Sequence, residues 1–104
     1  MKVCTPMAAL ADPTRQQIVA MLATGALSSG QIAARFDLSA PAISQHLKTL
    51  KEARLVRVRP QKQMRFYELD AAGIGEVAAW VDQVRAFWNP RLDALEEALK
   101  KDRT

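Results

Sequence analysis

The sequence predicts a mainly α-helical domain with one small β-hairpin and a long final helix. Two observations carry this. Apolar residues recur three and four apart through most of the chain, and the spacing changes to two only in the stretch from Val56 to Leu69. The 104 residues, 49% apolar and 25% charged, fit one folded globular domain over 1–104.

Each element follows from local chemistry. Asp12-Pro13 predicts a helix start, because the carboxylate accepts free first-turn N–H groups and Pro is tolerated at the first helical position. Ile18, Met21 and Leu22, with Val19 beside them, form its apolar face, and Gly25 predicts its end. Ser28 and Gln31 stand at capping-box spacing and open a short second helix with Ile32, Ala33 and Phe36 on one face. Asp37-Leu38-Ser39 breaks it. Ser39 caps a third helix, about 39–53, with Pro41 in its first turn and Ile43, Leu47 and Leu50 toward the core. In the hairpin, about 55–69, Val56 and Val58 alternate with Arg57 and Arg59. Pro60-Gln61-Lys62-Gln63 predicts a polar turn, and 64–69 returns. Arg65, Tyr67 and Leu69 share a face, which puts Arg65 near the tip. Asp70 caps the last helix, about 71–101, in which Pro90 predicts a kink or restart because it has no N–H to donate.

The composition excludes several classes. A single cysteine, Cys4, forms no internal disulfide, and a single histidine cannot build a multi-histidine metal site, so neither metal nor cofactor is expected. Cys4 reads as an ordinary thiol rather than a redox switch or a cross-link. No nucleophile–base pair and no glycine-rich phosphate loop points to an enzyme. The longest uncharged stretch, Gln16 to Ala34, is broken by glutamines, serines and a threonine, and Pro6 and Asp12 interrupt any leader-like apolar run. The expectation is a cytoplasmic protein with no membrane partner.

Charge is distributed unevenly. Residues 35–65 hold eight Lys and Arg against two acids, for +6, whereas 66–99 hold two against seven, for −5; the whole chain carries +4. The basic segment coincides with the third helix and the hairpin, which suits a polyanion. Two short helices joined by a tight turn, then a basic hairpin, describe a winged helix-turn-helix. Double-stranded DNA is the expected partner. Ser39, Ala40, Pro41, Ser44, Gln45 and Lys48 are placed toward a major groove, where Ser44 and Gln45 can bond base edges. Lys51, Arg57, Arg59, Lys62 and Arg65 complete one cationic surface for phosphates. His46 reads as part packing and part phosphate contact, and Arg15 either reaches the DNA backbone or braces a dimer.

A second surface is apolar. Trp80, Val84, Phe87, Trp88, Leu92, Leu95 and Leu99 recur three and four apart on the last helix, a stripe that must be covered. A second copy of the chain, with Met7 and Leu10 joining the interface, is the economical cover. A two-fold dimer would hold two reading helices about 34 Å apart, one turn of DNA.

These residues reach a resemblance. Ala9-Leu10-Ala11-Asp12-Pro13-Thr14-Arg15, Leu38-Ser39-Ala40-Pro41-Ala42-Ile43-Ser44-Gln45-His46-Leu47-Lys48-Thr49-Leu50, Glu52-Ala53-Arg54-Leu55-Val56 and Phe66-Tyr67-Glu68-Leu69 together resemble the ArsR family of winged-helix repressors. The helix with Trp80 and Phe87-Trp88 is similar to that of its small autorepressor-like members. The resemblance implies a homodimer that binds a palindromic operator and blocks transcription. The family's metal sensors carry a Cys-x-Cys-type pair near the second and third helices or Asp, His and Glu sets on the last; here 34–38 has no Cys and the last helix no His. Arg54 stands where the family commonly has Gly, so a left-handed backbone there would cost about 1 kcal/mol. The wing tip lacks the usual Gly as well. Two alternatives remain open: a sensor of the same fold gated by an effector or the Cys4 thiol, and a winged helix serving as a protein-interaction module.

Overall fold

Side-chain caps set where the helices begin. In the computed structural model, which describes residues 5–102, the Asp12 carboxylate accepts the Arg15 N–H at 3.1 Å and opens α2, Pro13–Leu22. That bond, first among several causes, holds the Asp12 carboxyl below its ordinary value. Ser28 Oγ accepts from Gln31 N–H at 3.2 Å while Gln31 Oε1 accepts from Ser28 N–H at 2.9 Å, the reciprocal box that opens α3, Ser29–Ala33. Ser39 Oγ accepts from Ala42 N–H at 3.2 Å and opens α4, Ala40–Glu52. A short helix absent from the sequence reading, α1 over Pro6–Ala9, precedes these and is capped by Thr5.

The sheet has three strands rather than two. β2, Val56–Gln61, pairs antiparallel with β3, Met64–Leu69, and the two residues of β1, Leu27–Ser28, add to the other side of β3, giving the order β1-β3-β2. The turn is shorter than expected. Only Lys62 and Gln63 lie between the strands, and Lys62 takes φ +57°. Pro60 and Gln61 belong to β2, an edge strand whose outer side needs no ladder donor, so a proline fits there.

The core lies where α2, α3, α4 and the sheet meet. Ile18, Leu22, Ile32, Ile43, Leu47, Leu50, Leu55 and Val56 are buried, and Tyr67, Leu69, Ile74 and Val77 pack around them. Between α4 and β2, Arg54 has φ +61°, the left-handed conformation that the family resemblance suggests for a position where glycine is common. Its carbonyl oxygen accepts the Gly73 N–H at 2.8 Å, and Leu55 O accepts the Asp70 N–H at 2.9 Å. These bonds tie α5 to the end of α4.

α5 runs without interruption over Ala71–Asp102. Thirty-two residues at 1.5 Å each make it about 48 Å long, most of the molecule's 65 Å longest extent. The helix does not restart at Pro90. Proline's φ suits a helix, and its cost is the one bond to Ala86 O together with ring crowding. Beside that carbonyl, the Arg91 guanidinium donates to Phe87 O at 2.8 Å. No helix among the described residues is long and apolar enough to cross a membrane.

Candidate nucleic-acid interface

Because α4 turns Ile43, Leu47 and Leu50 inward, its opposite side must face outward. Ala40, Pro41, Ser44, Gln45, Lys48 and Lys51 are all exposed along it. Ser39 is exposed too, with its hydroxyl oxygen engaged as the helix cap. Among the described residues no hydrogen bond or ion pair engages the side chains of Ser44, Gln45, Lys48 or Lys51. The helix therefore offers a ridge of hydrogen-bonding groups with free ammonium groups along its later turns. Lys62 and Arg65 are likewise exposed and without an ion-pair partner among the described residues.

The hairpin divides the remaining cations, which the sequence reading had gathered on one surface. Opposed residues in the ladder share a face, so Val56, Val58, Tyr67 and Leu69 line the side toward the core, with Pro60 and Arg65 extending it to the tip. Arg57 and Arg59 lie on the other side with Glu68. Arg57 Nε is 2.9 Å from Glu68 Oε1, and Arg59 Nε is 3.9 Å from Oε2. Both arginines are more than half exposed, so such surface pairing constrains them only weakly. Composition alone did not show this pairing; the antiparallel register Arg57↔Glu68 reveals it once the two-residue turn is known.

His46 differs from its neighbours. It is half-buried on the side of α4 facing α2, and its Nδ1 lies 3.3 Å from Arg15 Nη1. Arg15 Nε donates to Ala9 O at the end of α1. Arg15 thus braces α1 and α4 within its own chain, a role that neither reading of it, toward the DNA backbone or toward a dimer partner, included.

On α5 the apolar stripe is uncovered. Trp80 and Trp88 are each 49% exposed, Phe87 53%, and Leu92, Leu95 and Leu99 54–57%; Val84 is half-buried. Phe87 and Trp88 meet edge to face at 5.3 Å, and the Arg91 guanidinium sits 3.9 Å over the Phe87 ring. Met7 is 42% exposed, whereas Leu10 packs against its own core. Cys4 lies outside the described residues. Among those described, no group of three or more His, Cys, Asp or Glu is placed to hold a metal ion.

Known proteins share this arrangement. A family profile described as bacterial regulatory protein, arsR family, matches residues 12–58, from the cap of α2 into β2. The chain is 42% identical over 94 residues to the HTH-type transcriptional regulator Rv2034 of Mycobacterium tuberculosis, covering 90% of this chain and 85% of that one. It is 34% identical over 73 residues to the transcriptional repressor SdpR of Bacillus subtilis, covering 70% and 81%. A crystal structure of a possible transcriptional regulator for arsenical resistance is similar in fold, with a TM-score of 0.71 at 39% identity over 86% of this chain and 91% of that one. The chain belongs to the ArsR family and is a winged-helix, DNA-binding regulator of transcription rather than an enzyme.

Proposed function

We propose that the chain acts as a homodimer on a palindromic operator and represses by occupying it, which excludes polymerase. The observation that carries this reading is the pair of unsatisfied surfaces: a polar, cationic ridge on α4 and an apolar stripe on α5. Half-exposed leucines and tryptophans each gain about 1 kcal/mol on covering, and two-fold symmetry brings both stripes into one interface. Ala40, Pro41, Ser44, Gln45 and Lys48 enter the major groove, with Ser39 at the helix start. Lys51, Arg57, Arg59, Lys62 and Arg65 meet the backbone, the last two from the wing tip.

Two substitutions test the division of labour. Gln45→Ala removes a base-reading side chain and relaxes sequence preference, lowering cognate affinity by about 1–3 kcal/mol with little change on random DNA. Lys62→Ala removes a phosphate contact, weakens all DNA about equally and flattens the salt slope by roughly one unit. Fluorescence anisotropy on cognate and random duplexes at several salt concentrations measures both. Equal losses on the two DNAs for Gln45→Ala contradict its assigned role.

A further inference from the structure

Arginine has only donors, so a hydrogen bond between Arg15 Nη1 and His46 Nδ1 requires that nitrogen to accept. The neutral ring then carries its proton on Nε2. In this state one guanidinium joins three segments: its Nε holds the Ala9 carbonyl of α1, its own helix is α2, and its Nη1 holds His46 of the reading helix. Among the described residues, Arg15 bonds to the ring and the Asp12 carboxylate lies close enough to interact with it electrostatically. α1 contributes no charged residue, and the ring's neighbours one turn away on α4 are Ala42, Ile43, Thr49 and Leu50. Protonation changes the logic. Nδ1 becomes a donor that faces a guanidinium, and the acceptor left in the cluster is Asp12.

We propose that Arg15 is a positioning residue for DNA reading, acting through His46, and that protonating His46 releases α4 from this brace and weakens operator binding. The inference rests on the proposed DNA-reading role of α4. Its sign separates it from the other role available to His46. An imidazolium that touched phosphate would tighten DNA binding as the pH falls, whereas loss of the brace loosens it.

The test follows the affinity of the full chain for a fluorescein-labelled duplex selected from a random pool, at constant salt from pH 7.5 to 5.5, with circular dichroism verifying the fold at each pH. Wild type is expected to lose roughly fivefold or more across this range. His46→Gln, whose Oε1 accepts at every pH, is expected to keep the affinity it shows at pH 7.5 level on acidification. Arg15→Lys, which keeps the charge but not the fork of donors, is expected to bind more weakly at pH 7.5 and to show no further fall. A flat or rising wild-type profile overturns the inference, as does an unchanged fall in His46→Gln. Failure to bind any selected duplex at pH 7.5 overturns the DNA-reading proposal itself, and this inference with it.

Discussion

Gly73→Ala is expected to destabilise the domain by about 3 kcal/mol, lowering the melting temperature by roughly 12 °C or more. A Cβ at this position would overlap the Arg54 carbonyl oxygen and crowd that of Ala53. Neither obstacle is a flexible side-chain end. The Arg54 carbonyl accepts the Gly73 N–H at 2.8 Å, and Arg54 itself is held at φ +61° between the last turn of α4 and the buried start of β2. Relieving the overlap means moving α5 away from α4 and breaking the bonds that join them. Gly75→Ala is the matched control. Its Cβ meets nothing within 4 Å, and alanine is the better helix former by up to about 1 kcal/mol, so this variant gains stability or stays level. Thermal unfolding followed by circular dichroism separates the two. Equal melting temperatures would contradict the close approach.

Leu92→Glu combined with Leu95→Glu is expected to leave the fold intact, yield monomers and lower operator affinity by about a hundredfold or more. Both leucines are more than half exposed and lie outside the core cluster, so the charges cost the isolated subunit little. In a dimer the same carboxylates would be buried against their symmetry mates, where unpaired charge is expensive. Losing the dimer removes one of two reading helices, and with it the gain from engaging both half-sites together. Sedimentation velocity reports the mass and anisotropy the affinity. A dimer that persists, or monomers that bind the operator as tightly as before, would count against the assigned interface.

Much of this molecule was legible because its signals are local. Asp12, Ser28 and Ser39 cap helices because a short polar side chain can reach an N–H two or three residues on, whatever the rest of the chain does. Ile43, Leu47 and Leu50 declare the buried side of α4, and hence the exposed one carrying Ser44, Gln45 and Lys48. Arg54 could be suspected of a left-handed backbone only through the family resemblance, because nothing in arginine itself demands it.

What the sequence hid is non-local or too short for a period. Four residues of α1 and two of β1 are less than any repeat can show, and β1 exists only because β3 offers it an edge. The hairpin turn looked longer because Pro60 and Gln61 are turn formers by type, yet an edge strand accepts them. Pro90 looked like a break. A single missing donor in a helix of 32 residues did not suffice to end it. The pairing of Glu68 with Arg57 and Arg59 and that of Arg15 with His46 join residues 9 to 31 positions apart, so no motif announces them.

The central claim is that two copies of α4 are held about one helical turn of DNA apart by α5. Selection of duplexes from a random pool by the purified protein, followed by sequencing, tests it most directly. The account predicts an inverted repeat with half-site centres about 10–10.5 base pairs apart. Enrichment of a single unrepeated site, or of no sequence at all, would contradict it.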